Sequence, residues 1–119
     1  MELRRKLRAA VIDLRLPGAA RAERRRDRGG VGSDPGNEVA IKEALEWLGR
    51  AQDRSGTGDG GVARHYSLVA GWGPSYPETT GYIAPTMLAA ADRYGETELE
   101  ARGRRMLDWL VGIQLAGGG

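Results

Sequence analysis

The chain has 119 residues with 18 Lys or Arg and 16 Asp or Glu, a length that suits about one small domain. It contains no cysteine, which excludes disulfides and thiolate metal sites. No apolar run approaches the roughly 18 residues that a membrane-spanning helix needs, and no secretory signal is visible. A cytoplasmic location is therefore expected.

Positive charge is concentrated at the N-terminus. Residues 1–28 contain ten basic and four acidic residues, whereas residues 29–119 contain eight basic and twelve acidic residues. The basic excess belongs to one segment, so the basic pI does not predict nucleic-acid binding by the whole protein. No nucleic-acid partner is expected.

The first predicted element is an amphipathic helix over residues 1–16. Its apolar stripe follows steps of 4, 4 and 3 residues: Leu3, Leu7, Val11 and Leu14. Pro17-Gly18 ends it, and the Arg-, Gly- and Asp-rich residues 19–36 are typical of a flexible linker. Residues 1–36 are thus predicted to form a basic N-terminal arm. Two interpretations stay open: weak contact with an anionic membrane through residues 1–16, or a solvated tail that packs loosely on its own domain.

Three further helices are predicted, over about 37–53, 77–94 and 98–115, each with a recognisable start. Asp34-Pro35 or Asn37 can begin the first, and Ser75 can cap the second. The third begins with a capping box from Thr97 to Glu100.

Two irregular features accompany the second of these helices. Pro85 lies inside it and predicts a kink or an irregular first turn, and Gly95 ends it. Residues 54–76, which precede it, are rich in Gly, Ser and Pro and predict a long structured loop. Loops of this length in compact domains tend to carry function.

A repeated phrase indicates the architecture. Residues 47–52 read Trp-Leu-Gly-Arg-Ala-Gln and residues 109–114 read Trp-Leu-Val-Gly-Ile-Gln, and both copies run on into glycine. Such repetition indicates stacked units, and the second unit is incomplete, as expected of a truncated piece. Three or more units are usually needed to bury the apolar faces of an array, so marginal stability and self-association are expected.

The phrase Trp-Leu-x-x-x-Gln followed by Gly-Gly resembles the repeat of the α/α-toroid proteins of the terpenoid-cyclase and prenyltransferase superfamily. The stretch from Asp59-Gly-Gly-Val-Ala-Arg64 through Ser75-Tyr-Pro-Glu-Thr-Thr-Gly-Tyr-Ile-Ala-Pro-Thr86 is similar to bacterial prenyltransferase/squalene-oxidase-repeat proteins, which are often associated with polysaccharide biosynthesis. The resemblance covers residues 37–119. It implies an all-α fold, the first one and a half helical repeats of an incomplete α/α toroid, preceded by the flexible basic arm.

The chain departs from that superfamily in its acidic and metal motifs. It has no Asp-x-Asp-Asp and no cysteine for a zinc set, so squalene-type cyclisation and protein prenylation are not assigned to it. Three functions stay open: a domain of an enzyme-like protein acting on a glycan or glycan-lipid intermediate, an isoprenoid transferase or cyclase-like domain, and a truncated non-catalytic helical scaffold. Whether the chain is an enzyme is left undecided. No cofactor and no metal site are expected.

Glu78 and His65 are the candidate catalytic residues. The toroid resemblance implies that Tyr76-Pro77-Glu78-Thr79-Thr80 lies at the N-terminus of an inner helix and faces the cavity mouth. There Glu78 can act as general acid or base, bind a polyhydroxyl substrate through hydrogen bonds, or cap its own helix. His65 is the only histidine; it can act as a base, or be a surface or hydrogen-bonded loop residue.

The candidate substrate-binding residues are polar or aromatic side chains of the same region. Aromatic rings of this kind suit sugars and isoprenoid chains equally, and Arg64 can pair with Glu78, Asp59 or an acidic sugar. The remaining repeat tryptophans, Trp47 and Trp109, are interpreted as packing between repeats. The full substrate-binding set is Asp59, Arg64, Tyr66, Trp72, Tyr76, Thr79 and Tyr82.

Overall fold

The computed structural model describes residues 1–118, so Gly119 of the second glycine run lies outside the described residues. Five helices and one two-stranded hairpin follow in this order: α1 (Glu2–Arg15), α2 (Gly18–Arg28), α3 (Asn37–Asp53), β1 (Tyr66–Ser67), β2 (Gly71–Trp72), α4 (Pro77–Tyr94) and α5 (Thr97–Gly112). The predicted all-α class is confirmed. Across residues 1–118, no helix is both long and apolar enough to cross a membrane.

The chain forms two compact units. One comprises Met1–Asp34 together with Ser67–Gly71, and the other comprises Pro35–Tyr66 together with the residues from Trp72 onward. In the first unit α1 ends where predicted, but Gly18–Arg28, expected to be a linker, is helical. Arginine and alanine are strong helix formers, and after Gly18 at the start of the helix the next glycine is Gly29. The Asp13 carboxylate of α1 accepts a hydrogen bond from Arg24 of α2.

In the second unit the predicted bounds of α3 and α4 are confirmed. Helix α4 continues through Pro85 and ends at Gly95, which adopts the left-handed conformation at φ 65°. Helix α5 is shorter than predicted and ends at Gly112.

The predicted side-chain caps are wrong for α4 and α5, and Asn37 is already the first residue of α3 rather than its cap. The capping positions belong to Gly36, Tyr76 and Glu96, and none of these three provides a side-chain cap bond. The Ser75 hydroxyl is engaged elsewhere, as described below. Thr97 lies inside the first turn, so the capping box cannot form, and Glu100 pairs with Arg104 instead.

The core of the second unit lies between α4, α5 and the loop after α3. Its fully buried side chains include Val62, Met87 and Met106. Helices α4 and α5 approach closely at Gly103, where a Cβ would lie 2.8 Å from Leu88 Cδ2 and 3.3 Å from the Ala84 carbonyl oxygen. A glycine suits this contact because an added Cβ would displace the Leu88 side chain and crowd the Ala84 carbonyl oxygen.

The glutamine of the first repeat phrase ties α3 to the rest of this unit. Gln52 is buried, and its Nε2 donates to the carbonyl oxygens of Gly60 at 2.9 Å and Arg102 at 3.1 Å. Its Oε1 accepts from the Arg102 guanidinium at 3.2 Å. The second-copy Trp109 covers the glycine loop after α3, since a Cβ at Gly61 would lie 2.8 Å from its ring. The second copy of the phrase thus packs on the glycine loop that follows the first.

Candidate functional site

Residues 62–76, predicted to be a structured loop, form an antiparallel hairpin with a defined register. The Tyr76 amide donates to Val62 O at 3.0 Å, the Arg64 amide to Pro74 O at 2.8 Å, and the Gly73 amide to His65 O at 2.9 Å. Successive side chains along a strand point to opposite faces. Around the strand pair Tyr66–Ser67 and Gly71–Trp72, this alternation places Tyr66 and Trp72 on one face, and His65 and Gly73 on the other.

A buried threonine fixes the base of this hairpin. Thr80, on the first turns of α4, is fully buried, and its hydroxyl accepts from the Val62 amide at 2.9 Å. The same hydroxyl donates to the Tyr76 carbonyl oxygen at 2.8 Å. Both strands are thus held to α4 at the point where the candidate residues begin.

The first face of the hairpin carries an aromatic platform made of Trp47, Tyr66 and Trp72. Ring centroids lie 4.7 Å apart for Trp47 and Trp72, 4.9 Å for Tyr66 and Trp72, and 5.9 Å for Trp47 and Tyr66. Trp47 is 45% exposed and Tyr66 47% exposed. Trp72 packs partly against the core, which fixes the platform in place. The result is a rigid aromatic surface that water can reach.

Two guanidinium groups of the second unit lie over aromatic rings, and one of these rings belongs to the platform. Arg50, one turn after Trp47 on α3, lies 5.8 Å from the centroid of the Trp47 ring. Arg64 of the hairpin lies 4.7 Å from the centroid of the Tyr76 ring. Both distances are within the range of cation–π attraction. Arg64 therefore stacks on Tyr76 and does not pair with Glu78 or Asp59, the partners considered from the sequence.

A polar chain near the base of the hairpin ends at Asp59. The Asp59 carboxylate accepts from the Ser75 hydroxyl at 2.5 Å and from the Gly61 amide at 3.3 Å. Because the Ser75 hydroxyl donates its proton to the Asp59 carboxylate, the Ser55 hydroxyl is the donor in the 2.7 Å contact between the two serines. The chain is thus directed from Ser55 through Ser75 to the carboxylate.

The charge of Asp59 is stabilised in this arrangement. Burial alone raises the pKa of Asp59, but hydrogen bonds from Ser75, Thr57, the Gly61 amide and Trp109 outweigh it and hold the pKa below its usual value. Asp59 is consequently an anchored anion in the loop, and its contact with a substrate stays a prediction.

The other predicted site residues are not brought into one cluster. The His65 ring lies against Gly73, where a Cβ would be 2.8 Å from His65 Cε1, on the face opposite to the platform. Glu78 is exposed in the first turn of α4, and Thr79 is half-buried beside it. Tyr82 is 74% exposed. Within residues 1–118, the side chains of these four residues form no hydrogen bond or ion pair.

Sequence reasoning missed two features of the second unit. Trp47 was assigned to packing between repeats, yet it joins the platform, because the hairpin folds back over α3. The second feature is an open groove of about 630 Å³ between α3 and the α4–α5 turn. At its side Arg102 forms a bidentate pair with Asp53 at 2.7 and 2.8 Å, and that hydrogen-bonded guanidinium holds the pKa of Asp53 below its usual value.

No family model, curated protein or solved structure matches the chain. Among the described residues, no group of three or more His, Cys, Asp or Glu side chains is placed to hold a metal ion. The geometry of the platform and its cations is therefore the basis for a functional proposal.

Proposed function

We propose that the second unit belongs to a helical-hairpin protein of the α/α-toroid kind and binds a glycan, or the sugar part of a glycan-lipid, through the aromatic platform. The observation that carries this proposal is the close arrangement of three rings, two of them about half exposed, on a hairpin that Thr80 anchors to α4. Aromatic side chains lose little conformational freedom on binding and offer apolar faces with polar edges.

The exposure of the platform favours a sugar over an isoprenoid chain. An apolar chain is best bound in a concave, largely dry pocket, whereas Trp47 and Tyr66 are open to solvent. A sugar ring keeps its hydroxyls in water while one apolar face covers an aromatic ring. Arg50, beside the Trp47 ring, further suits a ligand with a carboxylate or phosphate group, since guanidinium matches both.

The proposal concerns binding. Glu78 stays a predicted catalytic residue, supported by its place in the first turn of α4, where the helix dipole favours a carboxylate. Asp59 is held by Ser75 and the loop amides, so it supports the hairpin and is not assigned to the ligand.

Isothermal titration calorimetry with a uronic-acid oligosaccharide, a neutral oligosaccharide and farnesyl phosphate tests the proposal. Trp72→Ala and Tyr66→Ala should each weaken oligosaccharide binding at least about tenfold, as expected when a central aromatic contact is removed. Tyr82→Ala is the matched control, because Tyr82 is exposed but outside the platform, and it should leave the affinity unchanged.

Three results would contradict the proposal. Binding of farnesyl phosphate alone would favour the isoprenoid alternative. Equal losses for Tyr66→Ala and Tyr82→Ala would place the ligand elsewhere. No heat with any of the three ligands, from a chain that circular dichroism shows to be helical, would leave the helical scaffold as the better interpretation.

A further inference from the structure

The apolar stripe of α1 is uncovered along the helix. Helix α1 has no buried residue, and the exposed fractions of its stripe run from 52% at Val11 to 77% at Leu14. A straight helix rises about 1.5 Å per residue, so the stripe from Leu3 to Leu14 is roughly 16 Å long. Single exposed apolar side chains are common on protein surfaces, but a continuous row of this length is typical of a surface that contacts an apolar partner.

Basic side chains surround this stripe, and most have no acidic partner. Residues 1–34 contain ten Lys or Arg and five Asp or Glu, while Ser67–Gly71 contains neither, so the first unit carries a net charge of +5. Four of the ten basic side chains form ion pairs with acidic residues of the unit: Lys6, Arg24, Arg26 and Arg28. Among the described residues, the remaining six arginines of this unit form no ion pair: Arg4, Arg5, Arg8, Arg15, Arg21 and Arg25.

A third element adds apolar surface to the same unit. Leu68 and Val69, at the tip of the hairpin, are exposed and belong to the compact unit that contains α1 and α2. The tip has a defined turn, because the Ser67 hydroxyl accepts from the amides of Val69 and Ala70 at 3.3 and 3.0 Å. These two apolar side chains are therefore presented by an ordered turn.

We propose that the first unit docks on an anionic lipid bilayer. The leucines of α1 enter the boundary between headgroups and acyl chains, and the unpaired arginines contact lipid phosphates and carboxylates, as in amphipathic helices that lie in the interface plane. This inference is independent of the proposed glycan binding, because it involves the other compact unit. A nucleic acid is the weaker partner, since it would leave the stripe uncovered and the unit has no aromatic side chain for base stacking.

Vesicle co-sedimentation of the full chain tests the inference. The vesicles are phosphatidylcholine with phosphatidylserine, and pure phosphatidylcholine is the neutral arm. Binding should require phosphatidylserine and weaken as salt is added. Leu3→Ser should reduce binding about tenfold, and Arg5→Gln about fivefold.

Matched controls lie in the second unit. Leu115 is as exposed as Leu3, at 72% against 73%, so Leu115→Ser removes the same side chain from outside the proposed surface. Arg54→Gln is the charge control, because Arg54 is exposed and forms no ion pair within residues 1–118. Both variants should bind like the parent, and circular dichroism should show equal helix content throughout.

Three outcomes would overturn the inference. The first is equal binding to neutral and anionic vesicles. The second is a loss in Leu115→Ser as large as that in Leu3→Ser. The third is that Leu3→Ser leaves binding to anionic vesicles unchanged while the parent chain binds single-stranded DNA more tightly than vesicles, which would identify a surface for nucleic acid.

Discussion

Replacing Thr80 by valine tests whether one hydroxyl holds the hairpin that carries the platform. Valine keeps the shape of the side chain and removes its polar atom. The Tyr76 carbonyl oxygen still accepts from the Thr80 backbone amide at 3.0 Å, so it keeps a partner. The Val62 amide, in contrast, loses its acceptor at 2.9 Å inside a fully buried environment.

The expected loss is therefore the cost of one buried, unsatisfied backbone N–H group. That cost is about 1–3 kcal/mol in the free energy of unfolding. For a domain of this size it corresponds to a decrease of roughly 4–8 °C in Tm per kcal/mol. Urea denaturation followed by circular dichroism measures the first quantity, and calorimetry measures the second.

Thr86→Val is the matched control on the same helix. Thr86 also donates to the carbonyl oxygen four residues earlier, Tyr82 O, at 3.3 Å, but it accepts no amide and is exposed. Its replacement should change stability by less than about 0.5 kcal/mol. If both variants lose the same stability, or if Thr80→Val loses none, the hairpin is not held by the bond to Val62.

Three further predictions concern the second unit. Gly103→Ala should destabilise it by about 1–3 kcal/mol, because the added Cβ would lie 3.3 Å from a carbonyl oxygen of α4. Gly81→Ala should stabilise it, because the space around the added Cβ is open. The urea midpoint should therefore fall in the first variant and rise in the second, and shifts in the same direction would contradict the close helix contact. Gln52→Leu should cost about 1–3 kcal/mol in the same assay, because the Gly60 carbonyl oxygen loses its side-chain donor and the Arg102 guanidinium loses one acceptor while it keeps Asp53. Replacing the exposed Gln114 by leucine should cost less than about 0.5 kcal/mol, and similar losses would refute the bridging role. The free energy of unfolding should also fall as the pH drops below 3.8, the ordinary pKa of an aspartate. The pKa of Asp59 is lower in the folded state, so its contribution to stability is present above pH 3.8 and is lost on acidification. In urea denaturation across a pH series, Asp59→Asn should lose less stability than the parent as the pH falls.

Local signals in the sequence were sufficient for the helices of the second unit. The bounds of α3 and α4 follow from apolar periodicity and from two backbone-restricted residues, Pro77 at the start of α4 and Gly95 at its end. The all-α class follows in turn. These features depend on neighbours close in sequence, so a single sequence contains the information.

The caps and the site depend on contacts between distant residues. Ser75 has the chemistry of a helix cap, but Asp59 and Ser55 compete for its hydroxyl and retain it. Trp47 reads as a repeat residue, yet the hairpin brings Tyr66 and Trp72 against it. Periodicity along α3 cannot reveal a partner that lies about twenty residues further along a loop.

The strand pairing also explains why the predicted site divides into two. Around Tyr66–Ser67 and Gly71–Trp72 it places Tyr66 and Trp72 on one face and His65 on the other. A prediction that collects every polar or aromatic residue of one loop ignores this alternation, which separates His65 from the aromatic platform.

The glutamines of the two copies of the phrase lie in different environments. A glutamine can donate to carbonyl oxygens and accept from a guanidinium at once, and Gln52 does so with Gly60 and Arg102. In the second copy the equivalent residue, Gln114, is exposed, as is the neighbouring Ile113, whereas Ala51 at the matching position is buried. A surface that buried Gln114 as Gln52 is buried would need two groups: a carbonyl oxygen in the position of Gly60 O and a guanidinium in the position of Arg102.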